Sequence, residues 1–392
     1  MKKTGVLCFV MLVLLLLGQT AWADPIIPAD QFPSINSAWN LNNTGIYFTD
    51  GEYFFVNGGK GKLYRLDDQL QLDREVLDSS VSGISRMTYV EDEHMLYFLA
   101  DKVKNKKNGG LCRVRLRDGV AEGRIECLVE GVVANYAIDE NYICYNVDGY
   151  KGIFRINHDG SGKFRLSDHQ VQKKNPAVRM HIEDGVLYYI NLKDHFLWSV
   201  PVDAQDSTQA RVFIDRPMHY YIVAPYKRAN AAAAENIYIY VEYAPNTDAL
   251  DKSHLAVVDR NGERVHELDH LRSIQSRYIN YYQGVLYYID SSRSPQVPCW
   301  VRLDGTAGGE IAVSGQGDLK AFKASDGTHW EFNNRIGYIH VFDGWLVMAE
   351  LGDTFTFYNP RTGRTDTYGG AGNDIWFVDL DTMTSYRCHK SE

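Results

Sequence analysis

HIEDGVLYYINLKDHFLWSVPVD, residues 181–203, reads as strand, Asp-Gly turn, strand, short loop, strand. Its central apolar run recurs along the chain. It appears as YFFV (53–56), MLYFL (95–99), YICYN (142–146), VLYYI (186–190), IYIYV (237–241), VLYYI again (285–289) and WLVMA (345–349). Several runs follow a turn marker, Asp50-Gly51, Asp184-Gly185, Gln283-Gly284 or Asp343-Gly344, and another short strand precedes each marker. A third strand follows, as in KLYRLDD from Lys62 or FLWSVPVD from Phe196, and then a fourth, as in REVL, RIECLV, KFRLS, RVFI, RVHEL, EIAVS and SYRC. Four short strands repeated every ~40–50 residues are the pattern of a propeller blade.

The second strands are apolar on both faces, whereas a sheet with one solvated face alternates apolar and polar. Blades stacked around an axis cover both faces, and a plain β-sandwich would not repeat internally. The expected fold is therefore all-β, a β-propeller of four-stranded blades over residues 45–392, most simply with seven blades. Because 354–368 also reads as a strand pair, six or eight are the alternatives. Residues 24–44 carry Pro25, Pro28 and Pro33 and read as a leader that packs on the first blade or supplies a closing strand.

Two stretches, GIYFTDGEYFFVN…GKLYRLDD (45–68) and DGVLYYIN…FLWSVPVD (184–203), with their repeats, resemble a family of bacterial secreted domains of unknown function. That family is described as a low-density-lipoprotein-receptor-related-protein-like β-propeller. The resemblance covers most of the chain from Gly45. It implies a secreted propeller and brings no catalytic residues to carry over.

Residues 1–23 read as a cleaved signal peptide: Lys2 and Lys3, an apolar run from Val6 to Leu17, and the small-x-small site Ala21-Trp22-Ala23. That run is too short to span a bilayer comfortably, which takes roughly 20 residues, and no later stretch reads as a membrane span. The expected location is periplasmic or extracellular. The formal net charge is −9, and loss of the signal's two lysines makes the chain more negative. Such a balance excludes nucleic acid as the expected partner, since phosphate contacts need clustered Lys and Arg. Five cysteines lie beyond the signal: Cys112, Cys127, Cys144, Cys299 and Cys388. Five is odd for an oxidising compartment, so at least one stays free or pairs outside the chain. Cys112 and Cys127 sit symmetrically about the Asp118-Gly119 turn, which suits either a cross-strand disulfide or two small buried hydrophobes.

His266-Glu267-Leu268-Asp269-His270 matches the H-E-x-x-H pattern that binds zinc on a helix. The repeat alignment places His266 on the fourth strand of unit five. Strand residues four apart lie roughly 13 Å from each other, too far to share one ion. The motif is read as a coincidence, and neither a metal nor a cofactor is expected. The aspartates at 50, 139, 184 and 343 are read as turn residues bonding their own backbone. The tyrosines of the second strands are read as packing.

The loops joining second to third strands open on one face and are enlarged at 101–110, 243–253, 290–298 and 350–373. Function tends to sit in such loops on a rigid scaffold. The first carries Lys102, Lys104, Lys106 and Lys107, and the last carries Tyr358, Arg361, Arg364 and Tyr368. Together they are the candidate binding residues, a partly basic and aromatic rim around the channel mouth. The expected function is non-enzymatic: an exported, monomeric propeller that binds a protein or an envelope or glycan ligand. The alternative is a glycan-acting hydrolase or lyase with acids in the channel, for which Glu91, Glu183 and His181 are the inner-strand candidates.

Overall fold

The computed structural model describes residues 47–389 except 51, 58–61, 68–69, 71, 78–79, 107, 148–151, 172–179, 229, 243–254, 274–275, 291–296, 312–335, 343, 360–363 and 381–383, and through most of the last blade it describes the backbone alone. The leader, the signal and the loop 243–253 therefore lie outside the described residues. Seven antiparallel sheets follow one another along the chain, at residues 47–75, 85–130, 133–167, 180–214, 218–259, 276–310 and 336–389. Within each, consecutive strands lie side by side, and the first strands of neighbouring sheets approach one another. The chain is a seven-bladed β-propeller.

Burial follows the position of a strand in its blade. Second strands are buried on both faces, as at Tyr142–Val147 and Met95–Ala100. Outer strands such as Leu72–Glu75 and Val120–Glu130 are mostly half-buried or exposed. The apolar clusters straddle blade interfaces: Tyr97 and Tyr145 join blades 2 and 3, Leu187 and Ile153 join blades 4 and 3, and Ile289 and Met348 join blades 6 and 7. One cluster runs from Phe48 and Phe55 of blade 1 to Val347 and Phe377 of blade 7, and this closes the ring.

Buried polar groups also hydrogen-bond across the same interfaces, as burial in a low-dielectric core favours. The Tyr136 hydroxyl of blade 3 donates to the Tyr97 carbonyl of blade 2 at 3.0 Å. Tyr281 of blade 6 donates to the Pro225 carbonyl of blade 5 at 3.2 Å. Asn280 donates to the Ile339 carbonyl of blade 7 at 3.0 Å and accepts from the Val341 amide at 3.2 Å. Tyr136 and Tyr281 thus act as packing groups with a satisfied polar tip.

The turn aspartates divide into two kinds. Asp50 and Asp139 accept from amides two and three residues on, at 2.7–3.1 Å. Asp184 instead adopts φ 49° ahead of Gly185 at φ 71°, the left-handed pair that a tight two-residue hairpin turn needs.

Two expectations are corrected. The segment RVHEL does not form the fourth strand of blade 5. That blade has three described strands, and the chain makes one bridge, Val258 with Arg264, before two short 3-10 turns within His266–Ser273 that meet at a kink at Leu268. Val265, Leu268 and Leu271 recur every third residue and are all buried in the blade 4–6 core, which holds this segment against the blade without a fourth strand. The stretch 350–373 is not a loop either. The second and third strands of blade 7 run on as a two-stranded ribbon, Trp345–Asn359 against Arg364–Asp379, while the fourth strand pairs only as far as Asp374. The strand pair read at 354–368 is this extension and not an eighth blade.

Cys112 and Cys127 face each other across the two outer strands of blade 2 and are disulfide-bonded, while Cys144 is a buried free thiol and Cys299 is buried. Closing a loop of about 15 residues stabilises by about 2–3 kcal/mol through the unfolded chain. Changing both cysteines to alanine, or reducing the wild type, is expected to lower the urea midpoint accordingly. A midpoint unmoved by reductant would show that the bond is not formed in the native protein.

Candidate functional site

The loop 101–110 is fixed at its base by the link between blades 1 and 2. Val81–Ser82 pairs with Lys102–Val103 as a small antiparallel ladder. The Asp101 amide donates to the Ser82 carbonyl at 3.0 Å, and the Lys104 amide donates to the Ser80 carbonyl at 2.7 Å. Gly109 lets the loop return onto its own start: a β-carbon there would lie 1.8 Å from the Ala100 carbonyl oxygen, closer than any side chain can come.

Between this loop, the end of blade 1 and the outer strand of blade 2 lies a cleft of about 750 Å³. Val76, Leu77 and Val103 are buried at its floor, and half-buried Ala121, Ile125 and Cys127 form the opposite wall. That wall carries a bulge. Glu122 pairs with Arg115 and Glu126 with Arg113, leaving Gly123, Arg124 and Ile125 outside the ladder. Gly123 has φ 83°, a conformation that glycine adopts without strain.

Lys104, Lys106 and Arg124 stand around the cleft, all exposed. Lys106 is paired with Glu130 at 2.7 Å. Glu126, the acid lining the cleft, is held by Arg113 at 2.9 Å, and Arg113 also donates to the His158 carbonyl of blade 3. Lys104 and Arg124 make no ion pair among the described residues. The cleft therefore sets buried apolar side chains beside two cations, Lys104 and Arg124, that no acid of the described residues neutralises.

Of the predicted binding residues, Lys104 and Lys106 meet at this cleft, and Lys102 is exposed on the adjoining ladder. Lys107 and Arg361 lie outside the described residues. Tyr358 and Arg364 lie opposite Thr365 and Asn359 near the tip of the blade 7 ribbon, with blade 1 between that ribbon and blade 2. The cleft stands at the outer edge of blades 1 and 2. Arg124 and the apolar floor were missed by sequence reasoning, although Gly123 inside a strand pattern is a signal for a bulge.

The inner-strand candidates separate. Glu91 sits exposed in the turn before the second strand of blade 2. His181 is buried between blades 4 and 5, its Nδ1 2.6 Å from the Tyr221 hydroxyl and its Nε2 3.8 Å from Glu183. Asn236 of blade 5 donates to Glu183 at 2.7 Å. Burial pushes the His181 imidazole below its usual range, so it is a neutral packing group cross-linking two blades. A comparable bridge joins blades 2 and 3: His158 lies 2.6 Å from Glu93, to which Tyr97 also donates at 2.8 Å. Burial, then Glu93, pushes the Tyr97 phenol up to about 12. The histidines of the H-E-x-x-H motif diverge: His266 is exposed with Nδ1 3.7 Å from Asp269, and His270 reaches the Arg302 carbonyl at 3.4 Å. Among the described residues no cluster of three or more His, Cys, Asp or Glu could hold a metal.

No family model and no curated protein matches this chain. Solved structures do resemble it. A computationally designed protein, Ika8, shares 11% identity over 91% of this chain and 98% of its own, at TM-score 0.45. TolB from Acinetobacter baumannii shares 11% over 64% and 61%, at TM-score 0.40. A puromycin hydrolase shares 12% over 78% and 53%, at TM-score 0.43. Likenesses this distant carry no argument about activity, and the fold rests on the strand topology itself. Among the described residues no helix is long and apolar enough to cross a membrane.

Proposed function

We propose that the protein is an exported, non-enzymatic propeller that binds a protein or cell-envelope ligand through the face carrying the 101–110 loop. The observation that supports this reading is the convergence of Lys104, Lys106 and Arg124 on one apolar-floored cleft in a chain of net charge −9. Clustering like charge against the overall balance sets up a local field that draws in the opposite sign. Export is supported by the signal-like residues 1–23 and by a disulfide in blade 2, since disulfides persist in oxidising compartments. The secreted propeller family that the repeats resemble fits the same reading.

Affinity capture from envelope extracts tests it. The wild type is expected to retain at least one partner that a variant with alanine at Lys102, Lys104 and Lys106 releases. Equal capture by both proteins would exclude this face.

A further inference from the structure

We infer that the cleft between blades 1 and 2 takes an extended acidic peptide of a protein partner, with acidic side chains at the lip and apolar ones on the floor. The inference rests on the binding reading above and assigns its ligand class. Three observations carry it. The outer strand Val120–Glu130 ends its sheet, so its outward backbone groups meet no described strand of this blade, and away from the register shifts at 122–126 and 127–129 that edge can take an added extended chain. The bulge at 123–125 brings that edge strand into the cleft wall. The floor of Val76, Leu77 and Val103 lies beneath cations that are not neutralised at Lys104 and Arg124. An extended chain presents alternate side chains to opposite sides, so alternating acidic and apolar residues match the lip and the floor at once. A sugar polyanion would use the lip and leave the floor uncovered.

Fluorescence anisotropy on the full protein, with a fluorescein-labelled peptide alternating glutamate and valine, tests this. Saturable binding that weakens as salt rises is expected, with no binding of the matching glutamine–valine peptide. Lys104→Glu with Arg124→Glu should weaken the glutamate peptide about tenfold or more, because attraction becomes repulsion at the lip. Both side chains are exposed, so the thermal midpoint of the double variant should stay at the wild-type value. Equal binding of the glutamine peptide, or no binding of the glutamate peptide, overturns the inference. So does tighter binding of heparin fragments that is lost in the same double variant, which would mark a glycan site. Those outcomes leave the binding reading standing if the lysine face still captures a partner; that reading falls only when capture is indifferent to the three lysines.

Discussion

Phe377→Ala is expected to lower the unfolding free energy by about 3–5 kcal/mol, the usual cost of truncating a fully buried phenylalanine. Phe377 is 0% exposed and lies in the cluster joining blade 7 to Phe48, Phe55 and Val56 of blade 1. Phe54 of blade 1 packs against it at 6.3 Å and against Trp345 at 5.1 Å. Every described strand of blade 7 comes from 336–389 and every described strand of blade 1 from 47–75. Among the described residues the seam is therefore closed by side chains and not by a strand shared between the chain ends. A cavity at that seam weakens the ring where, among the described residues, no backbone ladder crosses it. Urea unfolding measures the effect: the midpoint should drop with an unchanged slope. A loss below about 1 kcal/mol would mean that the closure lies elsewhere.

The second large effect is acid lability. His340, on the first strand of blade 7, is 0% exposed, and burial pushes its imidazole down to about 3. His181 and His169 are shifted in the same direction, again by burial first. In the unfolded chain a histidine takes up its proton near pH 6.5, so below that pH the unfolded state binds more protons than the folded one. The stabilisation from a neutral His340 is complete above about pH 6.5 and is lost as pH falls toward the folded value, at about 1.4 kcal/mol per unit. By pH 4 the loss from His340 alone is about 3 kcal/mol. Comparing wild type with His340→Asn at pH 7, 5.5 and 4 isolates the contribution. The stability difference should shift in the variant's favour as pH drops, and parallel pH curves would contradict the assignment.

The propeller was legible because its signals are local and repeated. Double-sided apolar runs such as VLYYI at 186–190 and 285–289 state that both faces are covered, and markers such as Asp184-Gly185 state where each hairpin turns. Elements that depart from the repeat were read less well. At 265–271 the alignment imposed a strand on a segment whose Val265, Leu268 and Leu271 already spelled a three-residue period. The ribbon of blade 7 showed its strand character in the sequence. Nothing local says whether a strand pair is a new blade or the prolongation of an old one, because that depends on which partner the fourth strand reaches.

The candidate site was half legible. A lysine-rich loop in an acidic chain is visible by inspection. Its floor is not, because Val76 and Leu77, Val103, and Ala121 to Cys127 come together only when blade 2 docks on blade 1. Arg124 went unremarked for a related reason: a charge on an outer strand is ordinarily solvated, and only the bulge beside Gly123 brings it to the cleft. His181 and Glu183 read as channel candidates from their strand, but their faces turn toward Tyr221 and Asn236 of the next blade.

The central claim, that the 101–110 face is where a partner docks, is tested most directly by photocrosslinking in intact cells. A photoreactive residue would replace exposed Lys102 beside the cleft, and in a second strain exposed Glu140, in the turn between the first two strands of blade 3. The account predicts a discrete crosslinked partner from position 102 that is absent from position 140 and lost when Lys104 and Arg124 carry glutamate. The same adduct from both positions, or an adduct at 102 indifferent to those charges, would contradict it.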